Sequence, residues 1–436
     1  VFRLARRTAP WLCVVAVCAA TSLSVAAPGS LATAEHPSGQ PVGSTVTDPA
    51  ASLAAGPSAT ADTGSLSTPS PRPPSAPTVA ASTPLVAAAT AAPSSGHKSP
   101  GARLKSATVP PSSSGLAGSA GLFEDLQYLT GSALSARLDQ YVQIGAKVAR
   151  FQLIWENVQS SGPGSYDWQY IDAVISGLTA RGITALPVID TTPVWARSAG
   201  CSASVCAPAD PNTYATFAAA AAARYAPQGV HSWELWNEPN NPIFWQPAPS
   251  TAAYTSLLKA AYAAIHRADP AATVITGGVA PAATGGGWIA PVQFLSEIYA
   301  NGGGGSFDAV GWHPYDYPAM PSDTSNNAWN QMSGTGTSAR SLMVAHGDGA
   351  KRIWATEFGA PTCTGDSSCV SESQQAAIIS QGYTLWRSYS WAGPLVSYMY
   401  QDIGTDQSNR ENFFGFVRHD GSQKPAYAAY RTAALA

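Results

Sequence analysis

The stretch that decides the fold runs from Val230 to Trp245, VHSWELWNEPNNPIFW. It opens as an apolar, tryptophan-rich run of strand character and breaks off at Asn237-Glu238-Pro239. Aromatic and β-branched residues suit a strand, and proline has no N–H to give to a central ladder. A strand that ends on a carboxylate marks either a turn or the wall of a catalytic site. The neighbouring sequence separates the two readings.

From residue 115 onward, short apolar runs alternate with amphipathic or alanine-rich stretches of helical period. Strands are expected within 115–123 and at 146–154, 183–190, 230–237, 271–278, 307–315, 351–358 and 393–401. Helices are expected at 133–144, 168–181, 211–225, 251–268, 289–300, 337–346, 371–386 and 424–435. Strict alternation implies a parallel sheet, and eight such units in a row imply an α/β protein of the (β/α)8 TIM-barrel class. A doubly wound open sheet would carry a glycine-rich phosphate turn after its first strand, and no such turn is evident.

The C-terminal strand ends of a TIM barrel form its active face. Strand 2 carries Arg150 and ends in Trp155-Glu156, and strand 3 ends in Asp190 with Trp195 beyond. Strand 4 ends in Asn237-Glu238, with Trp245 on the loop that follows. Strand 6 delivers His313 and Tyr315, strand 7 Glu357, and strand 8 Tyr400. Two glutamates on near-opposite strands are what retaining glycoside hydrolysis requires: one protonates the leaving oxygen and the other attacks the anomeric carbon. Their environments must hold their pKa values apart. Arg150 beside Glu357 is expected to keep that carboxylate ionised, and Asn237 is expected to bond a sugar hydroxyl. Tryptophan and tyrosine faces suit the C–H faces of sugars, so Trp155, Trp195, Trp245 and Tyr400 are expected to bind substrate, together with Glu156.

The motifs WELWNEPN and IWATEFGAPT, with HPY between them, resemble those of clan A glycoside hydrolases, nearest to family 5 (cellulase-like) and family 39 barrels. The tail ENFFGFVRHDGSQKPAY also resembles the end of such domains. The resemblance covers residues 115–436. It implies Glu238 as acid/base and Glu357 as nucleophile, with Asn237, His313, Tyr315 and Arg150 in support. Two departures stand out: IDTTPVW offers no histidine after strand 3, and SYMYQD replaces a strand 8 tryptophan, with Tyr400 expected in its place. The implied activity is hydrolysis of O-glycosidic bonds in a poly- or oligosaccharide. A transglycosylase and a non-catalytic carbohydrate-binding barrel are the alternatives; loss of either glutamate would mark the latter, and both are present. No cofactor and no metal are expected.

The remaining composition fits this reading. Net charge is −3 and only 11% of the 436 residues are charged, against roughly 25% in ordinary soluble domains. That leaves no basic footprint for nucleic acid. Residues 1–26 read as an export signal: Arg3, Arg6 and Arg7 precede an apolar run and a small-residue cleavage site at Ser24-Val25-Ala26. Residues 27–114 hold no aromatic residue and no cysteine and consist largely of Pro, Ala, Ser and Thr. Such a segment buries too little apolar surface to order, so a disordered spacer is expected. In the remainder, Cys201 and Cys206 form one close pair and Cys363 and Cys369 another. Close pairs in an exported chain are expected as two local disulfides. A secreted or cell-wall-associated monomer follows, with the spacer as the route to the wall.

Overall fold

In a computed structural model, residues 113–325 and 327–436 are described. The expected export signal and nearly all of the spacer lie outside them. The described chain is a closed parallel barrel in which β1 to β8 pair in sequence order and β8 returns to β1.

The strands are β1 (Ala120–Phe123), β2 (Val148–Ile154), β3 (Thr184–Asp190), β4 (Ser232–Leu235), β5 (Thr273–Thr276), β6 (Ala309–Trp312), β7 (Arg352–Phe358) and β8 (Ala392–Tyr398). They are buried along nearly their whole length, as a sheet lined on one side by helices and on the other by its own filled interior demands. Phe123, Val148, Leu186, Ile275, Ala309, Trp354 and Val396 fill that interior. The barrel is therefore a packed core below and an open mouth above.

The outer layer comprises α1 (Gly131–Ile144), α2 (Trp155–Val158), α3 (Gln169–Thr179), α4 (Pro211–Tyr225), α5 (Thr251–Ala268), α6 (Pro291–Ala300), α7 (Ala328–Ser333), α8 (Ala339–Ala345), α9 (Glu372–Ser388) and α10 (Pro425–Leu435). In α3 the buried Ile171, Val174, Ile175 and Leu178 repeat at i, i+3, i+4 and i+7, which keeps one stripe on the barrel. The starts of α4 and α5 are fixed locally. Asp210 accepts from Asn212 N with Pro211 in the first turn, and Ser250 accepts from Ala253 N. Both helices begin and end where the sequence pattern put them. The short α2 and α7 have no counterpart in that pattern, because each is too brief to show a helical period.

The strand containing WELW is shorter than expected. It ends at Leu235 rather than Asn237, and proline is not the immediate cause. Trp236 turns into the left-handed region at φ 73°, its N–H bonding Ile189 O and its indole N–H bonding Phe244 O. Glu238 follows at φ 44°. A bulky side chain at positive φ is strained by on the order of 1–3 kcal/mol and persists only where its surroundings hold it. The expected disulfides, Cys201–Cys206 and Cys363–Cys369, are both formed, in the loops after β3 and β7.

Candidate active site

Past Trp236, the chain makes a tight turn in which Asn241 N–H bonds Glu238 O, with Pro239 supplying a suitable φ. The turn returns the Asn241 side chain to its own start: Nδ2 donates to Glu238 Oε2 at 2.7 Å. Asn240 anchors the same turn to the β5–α6 loop, donating to Ala280 O and Ile289 O and accepting from Ala280 N. NEPNN is therefore a self-braced loop whose geometry aims one carboxylate into the mouth.

Opposite it, Glu357 projects from β7. Arg150 of β2 donates to Glu357 Oε1 at 2.6 Å, and Tyr315 donates to Oε2 at 2.9 Å. His313, one residue beyond β6, stands between the carboxylates: its Nδ1 is 3.0 Å from Glu238 Oε1 and 3.6 Å from Glu357 Oε2. One oxygen from each glutamate and a ring nitrogen of His313 lie within 4.8 Å of one another. Such a trio is also a possible cation ligand set. A cation there would have to compete with Arg150, Tyr315 and Asn241, which already engage the carboxylate oxygens.

The approach of His313 depends on the absence of a side chain at Gly278. A Cβ there would lie 2.2 Å from His313 Nε2 and 2.4 Å from Thr356 Oγ1. Glu238 N–H bonds the carbonyl of the same glycine at 3.0 Å. Gly278 thus holds the Glu238 backbone and leaves space for the imidazole.

Arg150 organises the floor. It is 1% exposed and forks onto fully buried Glu234, with Nε 2.6 Å and Nη2 3.2 Å from the two carboxylate oxygens. Nη2 also donates to Asn237 Oδ1 at 2.8 Å. Gly278 N–H gives Glu234 a further donor. Burial pushes the Glu357 carboxyl up, but His313, Arg150 and the Tyr315 hydroxyl together outweigh it, and the net shift is downward. Burial and the Glu357 charge push the Tyr315 phenol well up, so it remains a donor.

Arg150, Asn237, Glu238, His313, Tyr315 and Glu357 therefore meet in one network. Four aromatic expectations resolve differently. Trp155 is fully buried, stacked on Phe217 and edge-on to Tyr214, because it begins α2 and turns outward onto α4. Trp245 is 2% exposed between Trp236 and Tyr254, where it braces the NEPNN loop and has no face for a sugar. Trp195 is half-buried and gives its indole N–H to Gln159 O, with its ring edge-on to Trp155. Tyr400 packs on Tyr141 of α1 under the Arg137 guanidinium, among the helices. The strand has ended at Tyr398, and the chain beyond it turns outward. Tyr398 is the strand 8 aromatic beside the network: it lies between Phe123 and Phe414 and close to Tyr315. Glu156 is half-buried and ion-paired with Arg197 on the neighbouring loop.

Further carboxyls flank the pair, none of them given a role from sequence. Asp125, just past β1, is raised by burial and by the charge of Glu357. Asp190, at the tip of β3, is pushed up to about 8 by burial, with Arg150 opposing and Asp125 and Glu234 adding to the shift. Glu411, in the loop before α10, is pushed up to about 7 by burial, with Arg410 opposing and Glu357 and Glu238 adding. Asp190 was visible at a strand tip. Asp125 and Glu411 sit in loops that carry no periodic signal.

A family model described as Cellulase (glycosyl hydrolase family 5) matches residues 119–393. Among solved structures, the chain is similar to a family 39 glycoside hydrolase from the gut symbiont Bacteroides cellulosilyticus WH2, with 24% identity and a TM-score of 0.58 over 75% of this chain and 66% of that one. A monomeric beta-xylosidase from Caulobacter crescentus CB15 is 22% identical, with a TM-score of 0.56 over 74% of this chain and 69% of that one. A GH39 enzyme from Xanthomonas axonopodis pv. citri is 18% identical, with a TM-score of 0.56 over 74% and 67%. At these identities the likeness is one of fold. No curated protein matches the chain by sequence.

Proposed function

The chain belongs to the cellulase family, glycosyl hydrolase family 5, and is a glycosidase; from that premise we propose that it cleaves a poly- or oligosaccharide by double displacement with retention at the anomeric carbon. The observation that carries this reading is the closeness of two differently held carboxylates, Glu238 and Glu357, with an oxygen of each inside 4.8 Å of the other. Retaining enzymes keep their carboxyls roughly 5–5.5 Å apart, whereas inverting enzymes need about 6.5–9.5 Å to admit a water.

In the first step a Glu357 oxygen attacks the anomeric carbon while Glu238 gives a proton to the departing glycosidic oxygen, and the bond to that oxygen breaks. In the second, Glu238 takes a proton from water, the water oxygen attacks the same carbon, and the bond to Glu357 breaks. Arg150, Tyr315 and His313 hold Glu357 as an anion before attack. Asn237, with its oxygen engaged by Arg150, turns its amide nitrogen to a sugar hydroxyl.

We place the enzyme outside the cell, exported by residues 1–26 and carried on the spacer of residues 27–114, secreted or held at the cell wall as a monomer. The two disulfides favour an oxidising compartment. Aryl β-glucosides and β-xylosides are the first substrates to try. Glu357→Ala should lose turnover by roughly 10⁵-fold or more, and added azide should restore it with an inverted glycosyl azide as product. Glu238→Ala should accumulate the glycosyl-enzyme from an activated aryl glycoside, visible as added mass on the protein. Wild-type activity in both variants would sink the proposal.

A further inference from the structure

We infer that Thr356 is a positioning residue: its hydroxyl donates to His313 Nε2 and so fixes the imidazole with its proton on Nδ1, the nitrogen that faces Glu238 and Glu357. The inference rests on the glycosidase reading above and extends it to a side chain that reading does not use.

Two orphaned atoms carry it. His313 is fully buried, and its Nδ1 is occupied by the carboxyl groups, 3.0 Å from Glu238 Oε1 and 3.6 Å from Glu357 Oε2. Its Nε2 is buried with no hydrogen-bond partner among the described residues, and so is Thr356 Oγ1. Buried polar atoms are normally paired. These two border the same spot: a Cβ on Gly278 would lie 2.2 Å from Nε2 and 2.4 Å from Oγ1. The atoms are therefore no farther apart than the sum of those distances. A water at that spot would be nearer to both than the roughly 2.7 Å at which hydrogen bonds begin. Backbone closes the corner from the β6 side, since a Cβ on Gly311 would lie 2.8 Å from Gly278 N and 3.1 Å from its Cα. The hydroxyl and the ring nitrogen are left as each other's partners, and a small turn of either side chain joins them.

The backbone of β7 explains why Thr356 reaches this corner. Ala355 pairs with Leu395, and Phe358 pairs with Ser397. Three steps on β7 thus oppose two on β8, which is a β-bulge. Ala355 and Phe358 both pack in the outer core, Phe358 against Trp329 of α7. In a regular strand, residues three apart face opposite sides. The extra residue turns both Thr356 and Glu357 toward the inside of the barrel.

The chemistry gives the direction of the bond. Glu357, paired with Arg150, only accepts when ionised, so the imidazole proton belongs on Nδ1. In the neutral ring Nε2 is then an acceptor, and the hydroxyl supplies its donor. The bond made by one ring nitrogen sets what the other carries. Without this one, the ring is free to turn an Nδ1 lone pair toward the carboxylates, which would repel them.

The experiment compares the wild type with Thr356→Val, which keeps the shape and loses the hydroxyl, and Thr356→Ser, which keeps the hydroxyl. Protein labelled with 15N in its seven histidines gives the protonation of each ring nitrogen in long-range 1H–15N spectra, with His313→Gln to assign the signal. The wild type should show His313 protonated at Nδ1 and hydrogen-bonded but unprotonated at Nε2. Thr356→Val should move the Nε2 signal, lower the melting temperature and lower kcat on 4-nitrophenyl β-glucoside or β-xyloside about tenfold with KM unchanged. Thr356→Ser should restore all three. A proton on Nε2 in the wild type overturns the inference, as does an Nε2 signal indifferent to Thr356→Val. So does a Val variant that is as stable as the wild type, because a hydroxyl without a partner is replaced by a methyl at no cost. Full kcat in that variant removes the positioning role. A wild type that turns over no glycoside sinks the glycosidase reading and the positioning role with it, while the spectra still decide the hydrogen bond.

Discussion

The ends of β4 and β7 each present a glutamate to the same imidazole, and the two surroundings are otherwise unlike. At β7 the carboxylate projects from within the strand, where its pairing with β8 shifts register, and is gripped from two sides, by the Arg150 guanidinium on one oxygen and the Tyr315 hydroxyl on the other. At β4 the strand has already broken at a left-handed tryptophan, and the carboxylate is held by its own turn, through Asn241, and by His313. The β7 environment contains a permanent positive charge. The β4 environment has a neutral amide and a histidine. In the proposed double displacement, these unlike surroundings would fit two chemically identical side chains to opposite halves of one reaction, Glu357 as the attacking group and Glu238 as the acid/base. The difference comes from what neighbouring strands lend to each end.

The largest effect should come from removing the element that most separates the two ends. Arg150→Met leaves both Glu234 and Glu357 without their cation in a buried setting. Breaking a buried pair from one side costs about 3–5 kcal/mol, and here one guanidinium serves two carboxylates. Denaturant unfolding should show a loss of at least that order, together with loss of turnover. Arg150→Lys should recover part of the stability and less of the activity, because a point charge cannot fork to Glu234, Glu357 and Asn237 at once. A Met variant as stable as the wild type would show that the charge at β7 is not what distinguishes the two ends.

Next in size is a change that strikes both ends together. In Gly278→Ala the added methyl would fall on His313 Nε2 and Thr356 Oγ1. The imidazole must move, and it is the one group shared by the two carboxylates. A displacement of about 1 Å in a catalytic group costs roughly 100-fold in rate. The expected result is that loss in kcat/KM, with a fall in melting temperature smaller than that of Arg150→Met. If activity survived, His313 would be a bystander between the glutamates.

These neighbours were unevenly legible in the sequence. Alternation of strands and helices reads out the barrel, because each period reflects which faces are buried. Helices α4 and α5 match the sequence pattern at both ends, and Asp210-Pro211 and Ser250 fix their starts through local chemistry. Glu238 and Glu357 were also visible, since a carboxylate at the end of an apolar run has few structural reasons to be there. What happens after a strand ends was not visible. Tyr398 and Tyr400 are two residues apart, yet one lies beside the network and the other packs on α1. Trp155 and Trp245 follow strand tips and are buried in the helical layer or under their own loop. The direction of a side chain in irregular backbone is set by tertiary packing, which leaves no period in the sequence. Asp125 precedes a single 3-10 turn and Glu411 lies in another, each too short to show a period.

The smallest predicted effect is the sharpest test of the comparison, because it touches one end alone. Tyr315→Phe removes a hydroxyl that donates to Glu357 and leaves the ring and the Glu238 contacts in place. One hydrogen bond to a charged group is worth about 1.5 kcal/mol, so kcat/KM should fall roughly tenfold. The pH profile carries the finer information. The folded-state pKa of Glu357 is lowered, with burial opposed by His313, Arg150 and this hydroxyl. As the proposed attacking group, Glu357 is therefore ionised above that lowered pKa, and activity should be lost as pH falls through it. Taking away the hydroxyl takes away one lowering contribution, so the acid limb of kcat/KM should move to higher pH. The alkaline limb, set by the group that delivers the proton, should stay where it is, since the Tyr315 hydroxyl bonds only the glutamate on β7. Movement of both limbs together would mean that the two carboxylates titrate as a single coupled unit through His313, and the division of labour between β4 and β7 would then have to be assigned to the pair rather than to its members.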